Sequence, residues 1–152
     1  MENLLSFEYI RGLVEGEGSF TFSTTKYVNK SGDIIINKIR SFIIGMHERD
    51  EVLLNMVKET LGIRNKVYRF NPRVSHDVCK RGGMVVLTVR EFGQLKNIIV
   101  PFFYNRLKGN KGKQFIEWLE KIGSDPEVSE HFRFIYKIYK SGFYDRNQKF
   151  ID

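Results

Sequence analysis

The spacing of apolar positions divides the chain into alternating helical and extended stretches. From Phe7 to Glu17 the apolar residues Phe7, Ile10, Leu13 and Val14 recur at helical spacing, with Ser6 placed to cap the first turn and Gly18 to end the last. The period then falls to two. Across 19–28, Ser19, Thr21, Ser23 and Thr25 alternate with Phe20, Phe22 and Thr24, the pattern of a half-buried strand with a small polar outer face. Turn residues at 29–33 (NKSGD) predict a hairpin with a return strand over 34–46. Asp50 is placed to cap a helix over 51–61 that Gly62 closes. The pattern then repeats. Strands over 65–74 and 83–90 are joined by the basic turn SHDVCKRGG, and a helix over 90–100 is expected to stop at Pro101. A basic link leads to two helices, roughly 112–122 and 126–140, the second capped by Asp125 with Pro126 in its first turn. The polar and aromatic tail 141–152 is expected to be loosely held.

The resulting order, αββαββα with further C-terminal helices, predicts an α+β fold: one antiparallel sheet with helices on one face. The other face is left open, polar and able to carry Lys and Arg. At 152 residues this is a single domain by size, and 41% hydrophobic residues suffice for a core. Charge adds a second indication. Residues 1–25 hold one basic and four acidic groups (net −3), 26–113 hold 18 and 7 (net +11), and 114–152 hold 6 and 7 (net −1). A basic middle between near-neutral ends suits a polyanion, because Lys and Arg contacts to phosphate supply most nucleic-acid affinity. The lone Cys79 and the scattered His47, His76 and His131 exclude a Cys/His zinc site. No apolar run of membrane-spanning length and no signal-peptide pattern appears, so no membrane partner and an intracellular setting are expected.

The segment Ile10-Arg11-Gly12-Leu13-Val14-Glu15-Gly16-Glu17-Gly18 carries the candidate chemistry. Gly12 and Gly16, four apart, share one helix face. A glycine inside a helix costs about 1 kcal/mol relative to alanine, and close approach of a second helix backbone is a common reason to keep it. Glu17 sits at the helix C-terminus, where the dipole disfavours a carboxylate and carbonyl oxygens lack partners. A carboxylate beside carbonyls is a hard-cation donor set. If the glycine face meets its own copy across a two-fold axis, two Glu17 side chains approach and repel unless cations lie between them. Gly12, Leu13 and Gly16 would then form the dimer interface. A dinucleotide or phosphate-loop reading of GEGSF is rejected, because these glycines end a helix where that motif needs them to follow a strand.

Ile10 to Gly18 resembles the signature of the LAGLIDADG homing endonucleases, with GLVEGEG in the register of GLIDADG and Ser19-Phe20 opening the first strand. Glutamate stands where the signature has its final aspartate, which keeps the carboxylate and lengthens its reach. The αββαββα order covers nearly the whole chain, and a single motif implies the homodimeric type with a saddle-shaped sheet. The resemblance implies Glu17 as metal ligand with the Gly16 carbonyl beside it, Mg²⁺ as cofactor, and Ca²⁺ able to occupy the site without supporting cleavage. It also implies a lysine near the scissile phosphate. Lys108, Lys111 and Lys113 compete for that role; the KQF sequence favours Lys111, with Lys113 next. At the end of the second strand, His47 or Arg49 is implied in the solvent network.

Base recognition would come from the sheet, since a β-ribbon fits the major groove. The expected contacts are Ser19, Thr21, Ser23, Thr25 and Tyr27 on the first strand and Asn37, Lys38, Arg40 and Ser41 on the second. The second hairpin adds Lys66, Tyr68, Arg69, Arg73, His76, Lys80 and Arg81. Phe134, Tyr136 and Tyr139 recur at helical spacing and are expected in the core. The expected activity is site-specific cleavage of double-stranded DNA at a long, near-palindromic site by an intron-encoded enzyme, in an organelle or a prokaryotic cytoplasm. An RNA-binding maturase and a non-catalytic DNA-binding regulator are the alternatives.

Overall fold

A computed structural model of the protein describes residues 5–71 and 82–151. Arg73, His76, Lys80 and Arg81 therefore lie outside the described residues. Helix α1 (Phe7–Glu17) begins where Ser6 Oγ accepts from Tyr9 N and ends at Gly18, as its period predicts. Strands β1 (Gly18–Val28) and β2 (Ile34–His47) form the first hairpin, followed by α2 (Glu51–Leu61), β3 (Tyr68–Phe70) and β4 (Met84–Val89). The sheet is antiparallel in the order β1-β2-β4-β3, so β1 and β3 are its edges. Helix α2 closes at Gly62, whose φ of 75° is the left-handed value that glycine accepts without strain. Its start differs from expectation. His47, not Asp50, caps the preceding 3₁₀ turn Glu48–Asp50 by accepting from Arg49 N at 3.1 Å, and Asp50 makes no side-chain cap.

Pro101 does not stop the helix before it. Helix α3 (Phe92–Gln94), a π segment (Leu95–Ile99) and α4 (Val100–Phe103) run on without a break, and Pro101 sits in the first turn of α4. The wider π turn relieves the clash that a proline ring imposes on the carbonyl one turn back. Helix α5 (Asn110–Ser124) follows. Helix α6 (Glu130–Lys140) starts four residues later than Pro126 suggests. Asp125 caps a turn instead, accepting from Glu127 N at 2.9 Å, and the chain there runs beside β2, with Lys38 N donating to Glu127 O. The tail is held rather than loose. Helix α7 (Phe143–Arg146) leads to Phe150, whose ring lies 5.7 Å from Phe7 and 5.4 Å from Phe102. Buried Arg11 secures this end by donating to Phe102 O and Phe150 O.

The core lies between the sheet and the helices. Phe20, Phe42, Ile44, Val85, Leu87 and Val89 face Ile10, Val14, Leu54, Phe103, Phe115 and Trp118. Tyr136 and Tyr139 pack against this core, whereas Phe134 is exposed. Among the described residues no helix is long and apolar enough to cross a membrane.

Register settles which strand residues face which way. Phe20 opposes Phe42, Phe22 opposes Arg40 and Thr24 opposes Lys38, all on the helix side. Arg40 is fully buried, its guanidinium carbon 3.5 Å from the centroid of Phe22, and none of its three nitrogens is hydrogen-bonded among the described residues. Burial pushes its pKa down to about 10. A buried guanidinium without hydrogen-bond partners costs more than an apolar chain of similar shape. Arg40→Met is accordingly expected to stabilise the protein by about 1–2 kcal/mol, roughly 2–8 °C in melting temperature, measured by thermal unfolding.

Candidate functional site

The motif helix presents its two glycines outward. Gly12 and Gly16 are exposed, and a Cβ built at either would meet no atom within 4 Å. Leu13 is half-buried and packs against the core, so only its outer part is available to a partner. The glycines thus leave a smooth, open strip along α1, the surface that a second helix needs for close approach.

The two motif carboxylates have different surroundings. Glu15 Oε1 accepts the backbone N–H of Lys108 at 2.9 Å and that of Gly109, the residue that precedes α5. A carboxylate on these free amides also meets the positive end of the α5 dipole. Glu17 is exposed at the end of α1 and, among the described residues, has neither a hydrogen bond nor an ion pair. Of the pair, Glu17 is the one left available to an external ligand. The donor set fits a hard divalent cation: a free carboxylate with the last-turn carbonyl of Gly16 beside it. No group of three or more His, Cys, Asp or Glu able to hold a metal occurs among the described residues.

Helix α5 brings one lysine to this point. Lys111 Nζ donates to Gly18 O at 2.6 Å, one residue beyond Glu17. An ammonium has three donors, so two remain for a phosphate or an ordered water. On the same stripe of α5, Gln114 Oε1 accepts from Phe20 N at 3.4 Å and Trp118 Nε1 donates to Thr21 O at 2.9 Å. Positions 111, 114 and 118 are one helix face, and together they bind the backbone of the edge strand β1. Lys113 is two positions on, about 200° around the helix, and both it and Lys108 are exposed. Lys111 is thus the one of the three whose side-chain ammonium meets the motif among the described residues, whereas Lys108 meets it through its backbone N–H alone. Glu15 and Gln114 were not apparent from sequence, because their partners lie 93 and 94 residues away.

His47 stands apart from this pair. It lies three residues past Ile44, the partner of Gly18, or about 10 Å along the strand, and its Nδ1 is occupied by Arg49 N. Arg49 itself is exposed.

Several expected base contacts are corrected. Arg40 is buried on the helix side, and Lys38 is on that side too, bridged to Asp125 at 2.6 Å and to Glu127 at 3.5 Å. The hydrogen bond to Asp125 raises the Lys38 pKa and lowers that of Asp125. Arg69 opposes Val85 on the same side and pairs with Glu51. Ser41 has the outward parity but is fully buried, its short side chain flanked by Ile39 and Ile43, and its hydroxyl has no partner among the described residues. The open face keeps Ser19, Thr21, Ser23, Thr25, Tyr27 and Asn37, with Tyr68 exposed on β3. Lys66 is exposed just before β3. Exposed cations outside any ion pair among the described residues include Lys26, Lys30, Lys66, Arg90, Lys108 and Lys113.

The site thus joins an open four-stranded antiparallel sheet, a glycine-faced helix ending in a carboxylate free among the described residues, and an adjacent lysine. The sequence profile described as LAGLIDADG endonuclease matches residues 10–122, from the motif through α5, and the chain belongs to that family. The solved structure of the I-LtrWI LAGLIDADG homing endonuclease bound to target DNA is similar at 28% identity, with a TM-score of 0.60, over 79% of this chain and 36% of its own. Meganuclease I-SmaMI bound to uncleaveable DNA aligns at 25% identity and a TM-score of 0.60, over 88% of this chain and 43% of its own. I-SmaMI bound to uncleaved DNA in the presence of calcium ions shares the fold at 23% identity and a TM-score of 0.61, over 92% and 46%. This chain spans less than half the length of each of these neighbours. No curated protein matches it.

Proposed function

We propose that the protein is a homodimeric, divalent-metal-dependent endonuclease that cuts double-stranded DNA at a long, near-palindromic site, and that it is encoded within a mobile intron. The observation that carries this reading is Glu17: of the two motif carboxylates it is the one without a partner among the described residues, at the end of a helix whose glycine face is open. A single carboxylate is too few for a cation site. A second copy related by a two-fold axis would supply the other, and DNA phosphate the remaining oxygens. The homologous DNA-bound proteins are more than twice as long as the segment they share with this chain.

In this reading Glu17 and the Gly16 carbonyl would hold the cation, which we propose is Mg²⁺, with Ca²⁺ permitting binding alone. When bound, such an ion supplies charge stabilisation at the phosphodiester and lowers the pKa of a coordinated water. Lys111 places positive charge beside the same point and has two donors left for the phosphate or its water network. Glu15 keeps Lys111 in place by fixing the start of α5. The exposed cations of the basic middle supply the sequence-independent attraction to phosphate.

The test is selection of cleaved sites from a random duplex library with Mg²⁺, using the whole protein. Recovered sites should be roughly two-fold symmetric, and Ca²⁺ in place of Mg²⁺ should give binding without cleavage. An asymmetric site with one short half would overturn the homodimer. Binding without cleavage in Mg²⁺ would point to a regulator or an RNA maturase.

A further inference from the structure

Strand alternation places every lysine and arginine of the described strands (Lys26, Lys38, Arg40 and Arg69) on the helix side of the sheet. Apart from His47 at the end of β2, the open side has neither a basic nor an acidic residue at any described strand position. In their place stand hydroxyls along β1 and mostly apolar side chains elsewhere, interrupted by Asn37, Ser41 and Thr88. Ile35, Ile39 and Ile43 run down β2, and exposed Tyr68, Phe70 and Met84 continue the apolar surface across β3 and β4. The cross-strand pairs are Ser23 with Ile39, Thr25 with Asn37, and Tyr27 with Ile35. Within β2, strand β4 pairs only with Phe42–His47, so the Ile34–Ser41 half of β2 forms, with β1, the two-stranded ribbon that a major groove about 12 Å wide admits.

This composition limits what the ribbon can read. Guanine is recognised chiefly by Arg or Lys, adenine by Asn or Gln, and thymine by apolar contact with its 5-methyl group. The open side holds one asparagine, Asn37, and no described strand cation, while its isoleucines suit a methyl group. The flanks are cationic: Lys26, Lys30 and Lys66 are exposed, and residues 26–113 hold a net +11. That balance suits a polyanion with apolar groove edges better than a protein surface, and phosphate contacts from the flanks position the duplex without reading it. Resting on the endonuclease reading above, we propose that the half-site under the β1–β2 ribbon is rich in A·T pairs, and that thymine methyl groups packing on Ile35 and Ile39 carry its recognition.

The experiment starts from a duplex selected for binding to the whole protein in Ca²⁺. Thymines under the ribbon are then replaced by deoxyuridine, which removes only the methyl group and leaves charge and base pairing unchanged. Each contacted methyl lost should weaken binding about fourfold, since burying one such group is worth about 0.8 kcal/mol. The losses should compound over several positions, and the salt dependence should stay the same because no phosphate contact changes. Ile39→Thr, which trims an outward chain, should lower sensitivity to deoxyuridine at one position per half-site and leave the other positions sensitive. Selected half-sites rich in G·C under the ribbon, or equal affinity for the deoxyuridine duplex, would overturn this inference and leave the endonuclease reading intact. Recovery of no bound duplex would sink both.

Discussion

Replacing Glu17 by glutamine is expected to lower single-turnover DNA cleavage in Mg²⁺ by about 10³-fold or more, because losing a cation-holding charge removes several kcal/mol of transition-state stabilisation. The amide keeps the size of the side chain and loses the charge that binds a hard cation. Folding should respond in the opposite direction. Glu17 is exposed, has no partner among the described residues and stands at a helix C-terminus, where negative charge is unfavourable by some tenths of a kcal/mol. The variant should therefore melt at or slightly above the parent temperature while losing activity, and its DNA binding in Ca²⁺ should persist. That combination separates a functional carboxylate from a structural one. Lys111→Ala should act in the same direction with a smaller loss. Cleavage by Glu17→Gln within tenfold of the parent would remove Glu17 from the mechanism.

What could be read from the sequence was mostly local. Helix α1 keeps the bounds that its apolar period and its flanking Ser6 and Gly18 indicate, and β1 follows with the period-two pattern of its phenylalanines. Glu17 was legible for the same reason, since the GLVEGEG register depends on a short contiguous segment. The base-contact set was less so. Asn37, Lys38, Arg40 and Ser41 are near neighbours in sequence, but a strand sends alternate residues to opposite faces, and pairing with Phe22 and Thr24 puts Arg40 and Lys38 inside. Charge is a poor guide here: Lys38 finds Asp125 and Glu127, which come from a turn 87 residues later. The same non-locality hid the Glu15 contact with the start of α5. Pro101 misled for a different reason, because a proline ends a helix only where the preceding turn cannot widen.

The sharpest test of the dimer is Gly12→Leu, for which the isolated chain and the proposed assembly predict opposite outcomes. In the single chain nothing lies within 4 Å of a Cβ at this position, and glycine inside a helix is unfavourable by about 1 kcal/mol. The substitution should therefore raise monomer stability by about 0.5–1 kcal/mol. Where two glycine faces meet on a two-fold axis, each copy brings its own leucine into the closest part of the contact. Overpacking typically costs 1–3 kcal/mol per site, so two copies should cost about 2–6 kcal/mol, roughly 30-fold to 10⁴-fold in dissociation constant. Cleavage would fall with the dimer, because each copy supplies one Glu17. Sedimentation equilibrium, thermal unfolding and cleavage assays on the same preparation would show a more stable, monomeric, inactive protein. A variant that remains dimeric and cuts DNA at the parent rate would place the interface elsewhere, and the open glycine strip would then need another explanation.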